Sequence, residues 1–373
     1  MNFRDLRAIL QYVPQFRGQT FVIAVDGSVV DSPEFSDILL DLAVLRSLSI
    51  RVVLVHGAAA QIAALGEKRG VALSTLDGTG STDAATLEIS MDAISRLSNG
   101  ILQSLTTVKI QAATANAIHA HPAGILGGVD AGFTGTIERI DSDVLQSFLE
   151  QDIVPVVPPL GFDGDGQILR VNSDIVAREV ASALGAAKIL FISHEDPLGY
   201  LGKEDRQWST DHTADFLRQQ SNLPSGVVSK LNQAIRATED GVPRVHLISC
   251  DSDDALLAEL FSNEGVGIMI YSDAYQRLRG ATRNDVDELR LLIHRAVEDE
   301  QLLPRSRAEL IAHVDDYLVM EIDGHVVGCV AVHYYPDERM AELACLCVKK
   351  GHTWRGLECF FVNVPLNCLR SLY

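Results

Sequence analysis

The segment "TFVIAVDGSVV", Thr20 to Val30, has the pattern of a phosphate-binding loop, in which an apolar strand runs into a glycine turn. Backbone N–H groups of such a turn can bind phosphate, and a lysine beside it would neutralise the charge. This strand has no lysine, and Asp26 places a carboxylate in the turn itself. Because Asp26 would repel an anion, the segment predicts the fold of a phosphate loop without its chemistry.

Other residues suited to chemistry lie in the last third of the chain. Glu342 stands in the apolar segment "MAELACLCV", where a carboxylate either has the raised pKa that a general base needs or faces water at a strand edge. Arg305 and Arg307, in "LPRSRAEL", have planar side chains that suit carboxylates. Two residues apart on a helix, they cannot easily face one site. We therefore favour Arg305 as the ligand and expect Arg307 at the surface.

The composition is that of a folded, acidic protein. The chain has 373 residues, 47% of them hydrophobic, which is enough to bury a core in each of two domains. Its formal net charge of −19 repels phosphodiester backbones and anionic lipids. Nucleic acids and membrane surfaces are therefore not expected as partners.

No targeting segment or metal site is expected either. Charged residues interrupt the apolar ones in the N-terminal segment, unlike in a signal peptide, and no later run reaches membrane-spanning length, so we predict a cytoplasmic location. The cysteines form no CxxC pair, which favours reduced thiols over disulfides or a zinc site. They are Cys250, Cys329, Cys345, Cys347, Cys359 and Cys368.

The elements that must position these residues fall into two groups. Residues 1–18 predict an amphipathic helix, which packs either on its own domain or on another subunit. In 19–272, strands and helices alternate, and continuous Val and Ile runs predict a mainly parallel sheet between helix layers, an α/β fold. Within 280–373, two helices and an antiparallel meander, with a hairpin at Asp323 and Gly324, predict a smaller α+β domain.

Each half of the chain resembles a known protein family. Residues 20–270 resemble the amino-acid kinase family through "VVLVHGAAAQI", "DAGFTGTIERID" and "VNSDIVAREVASALGA", which implies a three-layer α/β/α sandwich. Residues 280 to about 350 resemble the first part of a GNAT acetyltransferase, with "ELACLCVKKGH" as its central strand. In this order they resemble the bacterial N-acetylglutamate synthases. That resemblance implies transfer of an acetyl group from acetyl-CoA to the α-amino group of L-glutamate, the first step of arginine biosynthesis, without a metal.

The kinase resemblance is accompanied by losses at the phosphate site. Ala24 occupies the position of a catalytic lysine, and Ala58–Ala60 replace a glycine run. Asp174 and Lys230 match the acidic residue and the nucleotide-binding lysine of the family. Because the partner loop is lost, we favour Asp174 as an ordinary helix N-terminal residue and Lys230 as a solvated helix lysine. We predict no kinase activity.

The synthase resemblance also implies regulation and assembly. Such domains bind L-arginine as a feedback ligand and form homo-oligomers, here expected as a hexameric ring. The matching positions are Tyr12, Glu264, Gly265 and Gly267. A carboxylate can pair with a guanidinium, and a glycine turn offers backbone carbonyls. The alternatives are a core aromatic for Tyr12 and a surface carboxylate for Glu264.

The GNAT resemblance assigns the acetyl-transfer residues. It gives Glu342 the role of general base, Arg305 and Arg307 the role of glutamate ligands, and the backbone of the fourth strand the role of cofactor contact. The last group is Cys345, Leu346, Cys347 and Val348. Arg355 and Gly356 match the start of the loop that binds the cofactor's pyrophosphate.

After about residue 352 the chain departs from the GNAT pattern. Glu358 stands where the loop requires a small residue, and "CFFVNVPLNCLRSLY" predicts neither the helix nor the strands that should follow. Either a frameshift or gene-model error altered the tail, or the polypeptide exists as written with little acetyltransferase activity. In the second case it would be a catalytically silent, arginine-binding, kinase-like protein. An active N-acetylglutamate kinase is disfavoured by Ala24 and the alanine run.

Overall fold

The computed structural model describes residues 16–201, 206–220, 222–252, 254–261, 265–272, 276–298, 302–322, 325–335 and 340–348. The chain divides into two units, Met1–Tyr271 and Ser272–Tyr373. The predicted N-terminal helix, except for its last three positions, and the tail that follows residue 348 lie outside the described residues.

The first unit alternates strands and helices. Its strands are β1 Thr20–Val25, β2 Arg51–His56, β3 Ala112–Thr114, β4 Ile118–Pro122, β5 Ile125–Leu126, β6 Val129–Asp130, β7 Gly135–Ile140, β8 Val154–Val157, β9 Leu160–Phe162, β10 Ile168–Arg170, β11 Lys188–Ser193, β12 Gln207–Ser209, β13 Arg244–Ser249 and β14 Ile268–Tyr271. Its helices are α1 Gly27–Val30, α2 Phe35–Ser47, α3 Ala59–Arg69, α4 Ala84–Thr107, α5 Ser142–Glu150, α6 Ser173–Leu184, α7 Pro197–Leu201, α8 Thr210–Gln219, α9 Ser225–Glu239 and α10 Ala255–Phe261.

The main sheet of this unit has eight strands in the order β12-β14-β13-β11-β1-β2-β8-β3. Strand β1 is central and pairs in parallel with β2 and β11, whereas β13 and β14 pair antiparallel. A second sheet has the order β10-β9-β4-β7, and β5 pairs with β6. The prediction of a mainly parallel sheet is confirmed.

Helices cover both faces of the main sheet. In β1, Phe21 and Ile23 pack into one apolar cluster, while Val22 and Ala24 pack into another on the opposite face. Successive side chains of a strand point to opposite faces, so a strand buried on both sides is apolar at every position. This is why the strands appear in the sequence as continuous runs of Val and Ile. The sheet with helices on both faces is the expected three-layer sandwich.

The second unit is an antiparallel sheet with helices. Its elements are β15 Gln276–Gly280, α11 Val286–Glu298, α12 Arg307–Ala312, β16 Tyr317–Ile322, β17 His325–Tyr335 and β18 Met340–Val348. The sheet order is β15-β16-β17-β18. Strands β16 and β17 form the predicted hairpin, whose two turn residues lie outside the described part.

Strand β15 was not predicted, because "QRLRG" has a single apolar residue and reads as a loop. In the structure Leu278 packs against the sheet, and Arg279 forms ion pairs with Asp285 at 2.7 Å and Glu321 at 2.5 Å. The strand therefore depends on partners far away in sequence, which local propensity does not reveal.

Candidate functional sites

Strand β18 carries a β-bulge among the residues expected to contact the cofactor. Its pairing with β17 joins Cys329 to Cys347 and Ala331 to Ala344, so two residues, Cys345 and Leu346, lie opposite one. Cys345 adopts a φ of +51°, in the left-handed region. A bulge interrupts the ladder of hydrogen bonds and re-aims backbone groups. In the described sheet β18 is an edge strand, so one of its sides has no neighbouring strand.

Arg305 lies beside this bulge. It precedes Ser306, the N-cap of α12, and so stands outside the helix in which it was predicted. Its guanidinium lies close enough to Cys345, Tyr317 and Glu309 for these groups to raise its pKa, and Cys345 has the largest effect. Arg305 also lines a cavity of about 300 Å³ together with Arg290 and His294. These basic groups favour an anionic ligand.

Arg307 points elsewhere. Its Nε donates to Asp287 Oδ1 at 3.1 Å, and both side chains are more than half exposed. Such a pair is an ordinary surface ion pair. The structure therefore separates the two arginines, as their spacing suggested, although the reason is that only Arg307 belongs to the helix.

Glu342 is exposed on β18, which agrees with the second of the two alternatives that the sequence left open, a carboxylate that faces water. Its Oε2 accepts a hydrogen bond from Tyr335 Oη at 3.1 Å. His333 lies directly opposite Glu342 in the sheet register, and its Nδ1 is 3.1 Å from Asp316 Oδ2. Sequence reasoning missed these neighbours, although the period of two places His333 and Tyr335 on one face of β17.

In the first unit, the phosphate-site remnants form a buried ion cluster. Lys230 Nζ lies 3.0 Å from Asp26 Oδ1 and 3.7 Å from Asp174 Oδ1. Ser229 Oγ donates to Asp174 Oδ2 at 2.5 Å. The view of Lys230 as a solvated helix lysine was wrong, because its side chain is only 6% exposed. Burial alone would lower its pKa, but Asp174 and Asp26 outweigh burial and raise it.

Local sequence explains how these groups meet. Asn172 caps α6 by accepting hydrogen bonds from the backbone N–H groups of Asp174 and Ile175, which fixes Asp174 in the first turn. Burial raises the Asp174 pKa, and Lys230 opposes that effect. Asp26 directly follows β1, at the carboxyl edge of the sheet where open α/β sheets bind ligands.

The cluster borders a cavity of about 320 Å³ that does not suit phosphate. Ala58, Ala59 and Ala60 line it where kinases of the family have glycines. Of the described residues that line it, the two cations are Lys230 and Arg170. Lys230 is held by carboxylates, and Arg170 donates to the carbonyl oxygens of Thr75, at 2.8 Å, and Leu76. Both cations are thus engaged inside the chain.

A second buried polar cluster surrounds two of the expected arginine-site glycines. Glu259 Oε2 accepts from the N–H groups of Val266 at 2.7 Å and Gly267 at 2.8 Å. Its Oε1 lies 2.6 Å from His246 Nδ1, and His246 Nε2 lies 3.2 Å from Lys188 Nζ. Tyr12 and Glu264, the other expected residues, lie outside the described part, as do Arg355 and Gly356.

The chemistry of this cluster depends on its burial. Burial would raise the Glu259 pKa, but His246 and the two N–H donors lower it to about 2. Burial lowers the pKa of His246 to about 4, and burial together with Arg244 lowers that of Lys188 well below its ordinary value. Glu259 is therefore ionised, whereas its neighbours His246 and Lys188 take up a proton less readily than they would in water.

Gly265 is required beside Glu259. Its φ is +66°, and a Cβ there would lie 2.6 Å from Glu259 Oε2. Sequence reasoning did not single out Lys188, His246 or Glu259. The available signal was charge inside the apolar segments "AKILFIS" and "LLAELF".

Comparison with known proteins agrees with this architecture. The model of the amino acid kinase family matches residues 19–249. An amino-acid acetyltransferase from Ralstonia nicotianae is 33% identical over 354 residues, which cover 92% of this chain and 78% of that protein. The chain belongs to the amino-acid acetyltransferase family.

Two solved structures have folds similar to that of this family member. The N-acetylglutamate synthase from Neisseria gonorrhoeae complexed with coenzyme A and N-acetyl-glutamate matches with a TM-score of 0.71 and 25% identity, over 100% of this chain and 87% of that one. The same synthase complexed with coenzyme A and L-arginine matches with a TM-score of 0.83 and 24% identity, over 97% and 87%.

These matches confirm the predicted family and fold class for the acetyltransferase. The kinase-like half and the antiparallel half both occur in its relatives' fold, in the same order. Of the helices described for this acetyltransferase, none is both long and apolar enough to cross a membrane.

Proposed function

We propose that this acetyltransferase transfers the acetyl group of acetyl-CoA to the α-amino group of L-glutamate, producing N-acetylglutamate and coenzyme A. The observation that carries this function is the bulged edge strand β18, with the Arg305 guanidinium close to Cys345 and with Glu342 three positions before Cys345 on the same strand. Backbone groups freed by a bulge can hold a thioester, and the guanidinium and carboxylate supply what an amino-acid substrate requires.

The reaction would proceed by direct transfer. Glu342, directly or through a water molecule, accepts a proton from the α-ammonium group of glutamate. The free amine attacks the thioester carbonyl, a C–N bond forms, and the C–S bond breaks. The leaving thiolate takes up a proton. Tyr335 would orient the Glu342 carboxylate through its hydrogen bond.

Arg305 would bind a carboxylate of glutamate. Its planar fork can form two parallel hydrogen bonds with a carboxylate, and the other basic residues of its cavity, Arg290 and His294, add to the attraction for an anion. Arg307, already paired with Asp287, is not needed in this arrangement.

The kinase-like unit would serve regulation. We propose that it binds L-arginine next to Gly265 and Gly267, with the Glu264 carboxylate as the partner of the guanidinium and with Glu259 holding the glycine turn through the N–H groups of Val266 and Gly267. Assembly into a homo-oligomeric ring, with the N-terminal residues and Tyr12 contributing to the site, is part of the same proposal. No phosphoryl transfer is assigned to this unit, because its two cavity cations are already engaged.

A steady-state assay of thiol release, with acetyl-CoA and L-glutamate, tests the acetyltransferase site. Arg305→Gln should raise the KM for L-glutamate at least about tenfold, because a charge-assisted pair is lost. Arg307→Gln is the matched control and should leave that KM within about twofold. Equal effects of the two substitutions would remove Arg305 from the substrate site.

A further inference from the structure

Three metal-ligating side chains meet at the carboxyl edge of the main sheet, outside both sites described above. They are His194, Cys250 and Asp251, and their ligand atoms all lie within 4.8 Å of one another. We propose that these three residues bind one zinc ion, with the fourth coordination position left for water.

The fold brings the three residues together. His194 directly follows β11, and Cys250 and Asp251 directly follow β13. The two strands are parallel neighbours that pair Ser193 with Ser249, so the residues after them meet at one edge. Cys250 is further fixed by a hydrogen bond from its N–H to the carbonyl of Ser193 at 2.9 Å. Because His194 lies 56 residues before Cys250 in the sequence, the three ligands form no recognisable motif. The spacing of the cysteines alone predicted no metal site.

The distances match the edges of a zinc tetrahedron. His194 Nδ1 lies 3.0 Å from Asp251 Oδ1 and 3.2 Å from Cys250 Sγ, and Cys250 Sγ lies 3.6 Å from Asp251 Oδ1. Zinc bonds of about 2.0 Å to N or O and 2.3 Å to S imply ligand separations of about 3.3 to 3.6 Å. An ion at the centre therefore requires shifts of only a few tenths of an ångström.

The donor set selects the ion. A thiolate and an imidazole favour zinc over magnesium or calcium, which prefer oxygen ligands. On binding, the Cys250 thiol gives up its proton to solvent and the sulfur becomes an anionic ligand. His194 and Asp251 are exposed, so the ion can enter from solvent, whereas Cys250 is buried. Glu34 lies close enough to act electrostatically on both His194 and Asp251 and adds negative charge.

Metal titration of the full-length, reduced, metal-free chain tests this site. Calorimetry should give one zinc per chain, and Co²⁺ should produce a near-ultraviolet sulfur-to-cobalt charge-transfer band. Cys250→Ser should remove the band, and His194→Gln should lower zinc affinity at least about tenfold. Cys329→Ser, the same change at a buried cysteine of the second unit, should alter neither.

The site would be refuted by absence of a one-to-one zinc isotherm in the unaltered chain. It would equally be refuted by a cobalt band that survives Cys250→Ser, or by a zinc affinity that His194→Gln does not change. Because His194 is exposed, His194→Gln should keep the fold even if Cys250→Ser does not. Thermal melts of both variants without metal separate loss of fold from loss of ligand.

Discussion

At the scale of single residues, the buried ammonium group of Lys230 forms an internal ion cluster with Asp26 and Asp174. It neutralises Asp26 and Asp174 inside the protein, where an unpaired carboxylate is costly. An ammonium group that is paired with two carboxylates is not free to neutralise the charge of a transferring phosphoryl group. We therefore expect the cluster to contribute to the stability of the fold.

Lys230→Met should destabilise the first unit by about 3 to 5 kcal/mol, because it leaves two carboxylates without their partner. Lys68→Met, at an exposed lysine of α3, should change the free energy of unfolding by no more than about 0.5 kcal/mol. Urea unfolding of both variants gives the comparison. Equal stability of the two would show that the cluster is not stabilising.

Asp41 gives the stability a pH dependence. It is buried on α2, accepts from the Leu257 N–H at 3.3 Å, and has its pKa raised by burial to about 7. In the unfolded chain an aspartate ionises near pH 4, so stability is lost as the pH rises from about 4 to about 7. Above pH 7 the penalty is complete and constant.

Asp41→Asn should therefore raise the melting temperature more at pH 7.5 than at pH 5, by about 4 °C or more at the higher pH. Glu67→Gln, at an exposed position of α3, is the control and should show no such gain. A gain for Asp41→Asn that does not depend on pH would contradict the assigned titration.

At the scale of elements, the bulge in β18 is the feature on which the proposed binding of acetyl-CoA depends. Cys345 holds it with a left-handed φ of +51°, a conformation that glycine adopts freely and a β-branched residue strongly avoids. The exposed strand edge alone would not distinguish a cofactor strand from any other edge strand, whereas the bulge re-aims its backbone.

Cys345→Val should raise the KM for acetyl-CoA by about tenfold, because valine cannot hold the bulge without strain. Cys345→Gly should keep that KM within about threefold, despite the loss of a small buried side chain. Thermal melts monitor the fold in both variants. An unchanged acetyl-CoA KM in Cys345→Val would mean that the bulge does not shape the cofactor site.

Most elements followed from the sequence, but the pairings between distant residues did not. Apolar periodicity and glycine turns gave β1, β2, β8, β11 and the hairpin of β16 and β17, since these depend on local pattern. Strand β15 was not predicted because the ion pairs of Arg279 with Asp285 and Glu321 stabilise it, and these pairs are not visible in the local sequence. The Lys230 pair with Asp26, 204 residues apart, is a tertiary fact that no local signal contains.

At the scale of the whole molecule, the chain joins a kinase-like unit, in which Lys230 and Arg170 have internal partners, to a unit for which we propose acetyl transfer. Regulation by arginine would act on the first unit. L-Arginine at about 100 times its Kd should stabilise that unit by about 2.7 kcal/mol, seen as a higher melting temperature. L-Lysine, which lacks the guanidinium, should not produce this shift.

Glu264→Gln should abolish the arginine shift, measured against the melting temperature of the variant itself, because the carboxylate partner is gone. Glu239→Gln, at an exposed position at the end of α9, should keep it. An arginine shift that persists in Glu264→Gln would place the ligand elsewhere.

The most direct test supplies the purified full chain with L-glutamate, acetyl-CoA and Mg-ATP together and identifies the products by mass spectrometry. We predict N-acetylglutamate and free coenzyme A, no phosphorylated product, and a rate at least about 100-fold lower for Glu342→Gln. A folded chain that forms no N-acetylglutamate, or one that forms an ATP-dependent phosphorylated product, would contradict the account.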